Sequence, residues 1–467
     1  MKDEEQKLAP VESLATLYLT APLFVFFAAF VRVEIAIPAC GLVAFQAFQI
    51  IRRTAWGDVA LLRGWETLWF FVFAAALLSW LYGAGSLHQN GDWFKHYSVL
   101  NFLVQHPWPA EARIEGIGES ALRYYLGWYL VPALFLKLTG GAPLQQFALT
   151  AWSTAGLFLF FKLLSQIIGT PRLTLVVPLA FMIFGGADLI GLLLVQEQPR
   201  DFPFIEWWSG WIQYSSNITA IAWVPQHTIP AWLGAALLMS QRARAPLLPF
   251  LPLVSSAILL WSPFAALGLI PFLSTVILRN GARTMLLDWR STASALLIAL
   301  PIGVYLLSAS GDVPRGFIGS SPCTFGTPCF TWPSYLLFIG VEVGLPIAFL
   351  FMARIQERGF LIAAVLTVAL IPLYKIGMNN DFGMRASLPA LAVLGMLCTK
   401  VLVVDTKRHL GMLAVGLLAL PEFYVGMSLP VLDYVDAPST TTFGDSFQLD
   451  EQFMRQYFTP LPQWILR

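Results

Sequence analysis

The stretch Leu122-Arg123-Tyr124-Tyr125-Leu126-Gly127-Trp128-Tyr129-Leu130-Val131-Pro132-Ala133-Leu134-Phe135-Leu136-Lys137-Leu138 is apolar enough to cross a bilayer. Whether it does so decides the topology of the chain. If it crosses, Lys162 and Arg172 fall outside, followed by the Arg242/Arg244 and Arg279/Arg283/Arg290 clusters. That violates the tendency of Lys and Arg to remain on the cytoplasmic side. If the stretch lies along the outer interface or re-enters, residues 147–161 run inward and the charge count repairs itself. The second reading is adopted.

Working outward, the chain reads as an integral membrane protein. Of its 467 residues 57% are hydrophobic and only 12% charged, with a mean hydropathy of +0.68, whereas soluble chains carry roughly 25% charged residues. Apolar runs of about 20 residues recur along the whole length, and they lack period-two alternation, which favours helices over an outer-membrane barrel. The expected fold class is an all-α polytopic transmembrane helical bundle of about 12 to 13 spans. Residues 1–11 carry charges of both signs and lead into the first apolar run without a small-residue cleavage site, which argues against a removable signal peptide. A net charge of +1 points to no nucleic-acid partner; the lipid bilayer is the partner that the composition implies.

Residues 1–64 read as an N-terminal transmembrane hairpin, with spans at 14–31 and 35–51 closed on the cytoplasmic side by Arg52, Arg53 and Arg63. Residues 65–429 form the expected core, with a first external loop over 84–146, and residues 430–467 an external tail. Spans are expected at 173–195 and 220–239, and the run 247–278 is long enough for two short spans bent at Trp261-Ser262-Pro263. Cys323 and Cys329 share the external loop 308–333 and are expected to form a disulfide in an oxidising compartment. Cys40 and Cys398 fall in spans and read as small packing residues.

Several polar groups stand out against this background. Gly91-Asp92-Trp93-Phe94-Lys95-His96-Tyr97 places a carboxylate, an ammonium and an imidazole directly after an apolar helix. On a helix Asp92 and His96 share one face. They could ligate a divalent metal, or Asp92 could serve as general base while His96 or Lys95 binds an anionic leaving group. The plain alternative is an interfacial loop in which Asp92 caps the helix, Lys95 snorkels to headgroups and the aromatics form a membrane belt. In Asn379-Asn380-Asp381-Phe382-Gly383-Met384-Arg385, Arg385 suits a phosphate, with Lys375 nearby; the alternative is an Asp381–Arg385 pair that neutralises itself. His227, between Pro225 and Pro230, lies where prolines often border cavities. Asp188, within Phe184-Gly185-Gly186-Ala187-Asp188, and Glu342 are intramembrane acids that could face the same cavity. The cluster Trp207-Trp208-Ser209-Gly210-Trp211 could stack on a sugar ring or rest on the membrane surface.

An acid just beyond a transmembrane helix, then Arg123-Tyr124-Tyr125-Leu126-Gly127-Trp128-Tyr129-Leu130 leading through Lys137-Leu138-Thr139-Gly140 into the next span, resembles the GT-C superfamily of glycosyltransferases. Protein O-mannosyltransferases and lipid A aminoarabinose transferases show a similar Tyr-Tyr-Trp-containing run ending in Lys-Leu-x-Gly. The resemblance covers roughly residues 65–161. It implies a GT-C-like bundle with interface-lying helices in the first external loop, a polyprenyl-phosphate-linked sugar as donor, and a glycan, lipid or protein as acceptor. It also implies Asp92 as catalytic base, with His96 or a divalent metal beside it, and phosphate held by Lys95, Lys375 and Arg385. Tyr124, Tyr125, His227, Asn380 and Asp381 are then expected in the substrate cavity. Three departures stand: Asp92-Trp93 replaces the adjacent acids or Asp-x-Asp, two extra helices precede the core, and the tail is too short for an acceptor domain. The expected location is a bacterial inner membrane with a periplasmic active site. A reading of a different class is a transporter or flippase for a lipid-linked or anionic substrate, with Asp188, Glu342 and His227 as an ion pathway and with inverted repeats. No convincing repeat relates the two halves.

Overall fold

The computed structural model describes residues 7–57, 64–83, 88–114, 118–141, 144–169, 175–195, 205–241, 246–280, 288–308, 313, 315–320, 330–353, 355–377, 380–405, 409–432, 440–443 and 457–459. Helices dominate it. α1 (Pro10–Phe30) and α2 (Val33–Arg53) form the expected hairpin, closed where Leu8 bridges Thr54 and the Ser13 and Thr54 hydroxyls share a 2.7 Å hydrogen bond. α3 (Trp65–Leu81) leads to α4 (Asp92–Gln105), the strands β1 (Glu111–Ile114) and β2 (Gly118–Leu122), α5 (Gly127–Thr139) and α6 (Gln145–Ile168). Next come α7 (Val177–Met182), α8 (Asp188–Val195), α9 (Asn217–Trp223), α10 (Pro225–Ser240), α11 (Leu251–Trp261) and α12 (Pro263–Asn280). α13 (Trp289–Leu307) is followed by β3 (Arg315–Phe317), α14 (Trp332–Met352), α15 (Arg358–Leu370) and β4 (Tyr374–Ile376). The chain closes with α16 (Asp381–Ala386), α17 (Leu388–Val404), α18 (His409–Leu432) and β5 (Phe458–Thr459).

Among the described residues eight helices are long and apolar enough to cross a membrane, and three shorter apolar helices join them. This is a multi-pass helical membrane protein. The higher span number expected from the sequence counted runs that the backbone interrupts: 173–195 is broken between α7 and α8, and 220–239 lies across α9 and α10 with the break at Val224-Pro225. The break at Ser262 falls where Pro263 removes a backbone donor, with Ser262 extended between α11 and α12. The segment 122–138 supplies α5, whose 13 residues reach only about 20 Å, short of a ~30 Å hydrocarbon core. The first large loop is not purely helical, however. β1 and β2 form an antiparallel pair, and β5 from the tail adds to β2 through Ala121↔Thr459 and Leu122↔Phe458. Cys323 and Cys329 lie outside the described residues. Cys40 and Cys398 are unpaired thiols on α2 and α17.

α10 and α17 are buried along almost their whole length and form the centre of the bundle. α5 is wedged beside them by contacts that explain its sequence. Gly127 opens it where α11 passes so closely that a Cβ would sit 2.6 Å from Trp261 Cγ and 2.7 Å from its Cα. Trp128 Nε1 donates to Ser153 Oγ on α6 at 2.9 Å. At the far end Lys137 Nζ donates to the His106 carbonyl at 2.6 Å and lies over the Trp108 ring, while Gly140 turns left-handed (φ 65°) to end the helix. The Lys-Leu-x-Gly signature thus ties the end of α5 to the end of α4. Gly127→Ala should destabilise the detergent-solubilised protein by about 1–3 kcal/mol, because the collision involves Trp261 backbone that cannot rotate away. Thermal unfolding checks this: an unchanged midpoint would mean that α5 has room to shift.

Candidate functional site

The described cavity of about 350 Å³ lies where α4, α5, α10, α12, α13, α16 and the β3–β4 ribbon meet. Four cations line it: Lys95, Arg123, Arg315 and Arg385. Against them stands one lining carboxylate, Asp381, so the cavity favours an anion. Tyr124, Tyr125, His227 and Tyr457 complete the polar wall. The apolar lining is Phe264, Leu267, Leu306, Leu307, Val313 and Ile376, set among the cations: the Arg123 guanidinium reaches the Leu306 carbonyl at 3.4 Å and Arg315 pairs with Ile376. Leu267 is 48% and Leu307 70% exposed, and they stand on α12 and α13, two helices apolar enough to span. The cavity therefore combines cations with apolar side chains, two of which are exposed on helices apolar enough to span.

α4 delivers the first cation. Asn90 Oδ1 accepts from the Asp92 N–H at 3.1 Å and starts the helix, and Asp92 Oδ2 grips Lys95 Nζ at 2.7 Å, one turn on. Burial alone raises the Asp92 carboxyl, but the adjacent Lys95 ammonium, with Arg385 adding, outweighs it and holds Asp92 below the usual carboxylate range. The partner of Asp92 on the helix is thus Lys95, not His96. Trp93 and Tyr97, which the plain alternative put in a membrane belt, are core residues instead.

His96 is corrected from a catalytic or metal-binding residue to an anchor. It is fully buried, with Nε2 3.0 Å from the Trp223 carbonyl and Nδ1 2.7 Å from the Tyr129 hydroxyl. A carbonyl only accepts, so Nε2 carries the hydrogen and Nδ1 accepts from Tyr129. Both nitrogens are committed, leaving no lone pair for a metal shared with Asp92. Burial, then the Lys95 charge, pushes the imidazole down to about 3.

The second polar stretch divides its roles. Asn380 is left-handed (φ 57°) and fully buried, and its Oδ1 accepts from Gly383 N at 3.2 Å, so it shapes the turn into α16 and does not line the described cavity. Asp381 and Arg385 both line it, joined by a long 3.5 Å ion pair. Lys375 is replaced as a cavity cation. β4 pairs Arg315 with Ile376 and Gly316 with Lys375, and since side chains alternate along a strand, Arg315 and Ile376 face the cavity where Lys375 does not. Tyr124, Tyr125 and His227 line it. His227 Nδ1 is 2.7 Å from Ser262 Oγ, in the gap between α11 and α12, and Tyr125 packs edge-on against its ring at 5.0 Å.

Three lining residues were not expected in this role. Arg123 N–H donates to the Tyr457 carbonyl at 2.6 Å, and its guanidinium reaches Ser308 O at 2.7 Å; its place beside Tyr124 in the resemblance-bearing run was the available signal. Arg315 and Tyr457 arrive through strand pairing and carry none. Asp188 and Glu342 do not share this cavity with His227 but meet elsewhere, and Trp208, expected on a sugar or the membrane surface, is buried against them.

Because His96 has a folded-state value far below the ~6.5 of a free imidazole, the unfolded chain binds its proton first on acidification. The stability contributed by neutral His96 is complete above about pH 6.5 and is lost below it at about 1.4 kcal/mol per pH unit. The melting midpoint in detergent should therefore fall between about pH 7 and 5, less steeply in His96→Asn; equal slopes in the two proteins would contradict the anchoring role. Comparison of the chain with protein-family models, curated proteins and solved structures finds no match, so the cavity's own geometry carries the chemistry.

Proposed function

We propose that this protein is a membrane glycosyltransferase that moves a sugar from a polyprenyl-phosphate donor to an acceptor hydroxyl, on the side of the membrane away from the cytoplasm. The observation that carries this reading is a single cavity lined both by Lys95, Arg123, Arg315 and Arg385 and by the exposed Leu267 and Leu307 of two helices apolar enough to span. A lipid phosphate needs both at once: charge-assisted bonds for its oxygens and an apolar exit for a tail that stays in the bilayer. The resemblance of the run 123–140 to GT-C enzymes supports the sugar as cargo.

In this mechanism the acceptor oxygen attacks the anomeric carbon as the bond from that carbon to the phosphate oxygen breaks, with inversion. The acceptor proton passes to Asp92, and the polyprenyl phosphate leaves with its charge held by Lys95, Arg385 and Arg315. Lys95 links the two events. When it turns toward the donor phosphate, Asp92 loses its counter-ion and becomes a stronger base. Asp381, on the wall itself, holds the Arg385 fork in place. A transporter is the competing reading, favoured by the break between α7 and α8 beside buried acids. Against it, His227 stands in the cationic cavity and does not extend the acids into a path.

Undecaprenyl phosphate should raise the melting midpoint of the detergent-solubilised protein, the matching alcohol should not, and Lys95→Ala or Arg385→Ala should weaken the effect at least about tenfold. In cells, Asp92→Asn at matched expression should remove one sugar from a glycan while its polyprenyl-phosphate donor accumulates, read by mass spectrometry. An unchanged glycan profile in Asp92→Asn with loss in Asp381→Asn would reverse the two carboxylate roles. Unchanged profiles in both would leave transport as the better reading.

A further inference from the structure

Away from the cavity, four carboxylates from distant parts of the chain converge in the interior. α7 ends at Met182, residues 184–187 run without helical structure, and α8 restarts at Asp188. The unwound backbone is a cradle: Gly186 N–H donates to Glu422 Oε2 at 3.2 Å and Asp188 N–H to Glu422 Oε1 at 3.1 Å. Two glycines permit this approach. A Cβ at Gly185 would collide with Glu422 and one at Gly186 with Glu342. Glu342 enters from a π-helical turn within α14, Gly340–Gly344, a distortion common at functional sites. Trp208 Nε1 donates both to Asp188 Oδ1 at 3.0 Å and to Glu342 Oε1 at 2.8 Å. Glu206 Oε1 accepts from the Ser216 amide at 3.1 Å and its hydroxyl at 2.7 Å, and Oε2 from Gln213 at 3.2 Å.

We propose that Asp188, Glu206, Glu342 and Glu422 form a binding site for a hard divalent cation of the calcium class. One oxygen each from Asp188, Glu206 and Glu422 lies within 4.8 Å of the others, about twice a Ca–O bond of ~2.4 Å, so a single ion can touch all three. A second, independent feature points at the same spot. Asp188 Oδ2 and Glu342 Oε2 accept from no N–H or O–H donor among the described residues, on side chains 0% and 2% exposed. An oxygen-only ligand set selects calcium, magnesium or manganese over zinc or copper. The surrounding N–H and O–H donors suit ionised carboxylates, and among the described residues no Lys, Arg or His pairs with any of the four. Several uncompensated buried anions are untenable; a divalent ion balances two of the four charges, and a proton on each of the other two carboxyls balances the rest. This site shares no lining residue with the cationic cavity, and the proposal stands whether or not the transferase reading does.

Trp208 provides the test, since its indole nitrogen sits on two of the carboxylates and can pass excitation to a bound lanthanide. Purified protein stripped with chelator should give saturable indole-sensitised Tb³⁺ emission, displaced by Ca²⁺ more readily than by Mg²⁺, and the unstripped protein should hold about one ion per chain by elemental mass spectrometry. Glu342→Gln and Glu422→Gln should each weaken binding at least about tenfold, while Trp208→Phe should lose emission yet keep the ion. If a Gln variant does not fold, the wild type still decides, because chelation should lower its melting midpoint and Ca²⁺ restore it. Folded, monodisperse wild type with no ion, no saturable Tb³⁺ emission and no response to chelator would overturn the proposal and leave the acids protonated.

Discussion

A charge inside a bilayer has no water to fall back on, and in this chain several buried ions sit where a counter-charge can reach them. Lys162 on α6 meets Glu66 at the start of α3 at 3.2 Å, and Lys400 near the end of α17 meets Glu357 just before α15 at 2.6 Å. These pairs fasten neighbouring helices. The Asp92–Lys95 and Asp381–Arg385 pairs obey the same constraint beside a cavity that Lys95, Asp381 and Arg385 line, where an incoming anion can compete for the cation. The acids around Asp188 have no such cation among the described residues, and their number in one place is what makes them informative.

Much of the architecture was legible because proline, glycine and apolar run length act locally. The hairpin of α1 and α2 follows from two apolar runs closed by Arg52 and Arg53, and the break at Ser262 from the donor that Pro263 lacks. The short reach of α5 agrees with the Lys and Arg distribution around it. Interruptions without proline were harder. Nothing at Gly185-Gly186 announces that an apolar run will unwind there, because the reason is a carboxylate 236 positions further on.

The candidate site was legible where a residue's role depends on its neighbours in sequence, as for Tyr124, Tyr125 and Arg385. It was not legible where the role depends on pairing at a distance. Lys375 and Arg315 exchange places because of a strand register, and Tyr457 reaches the cavity only because β5 extends the sheet at β2. His96 looked chemical because imidazoles titrate near neutrality. Its environment, a carbonyl on one nitrogen and a phenol on the other, removes that property and makes it a bolt between α4, α5 and α9. The same α9 begins at Ser216, which donates to Glu206. One seven-residue helix is thereby fastened at one end to the acid cluster and at the other, through His96, to α4.

The exposure of Leu267 and Leu307 beside the cavity changes what concentration means for this protein. A ligand that enters between these side chains approaches by diffusion within one leaflet, so its supply is a mole fraction of that leaflet, whatever the aqueous volume. Encounter becomes a two-dimensional search, and the composition and fluidity of the surrounding lipid act directly on occupancy, as substrate dilution does for a soluble protein.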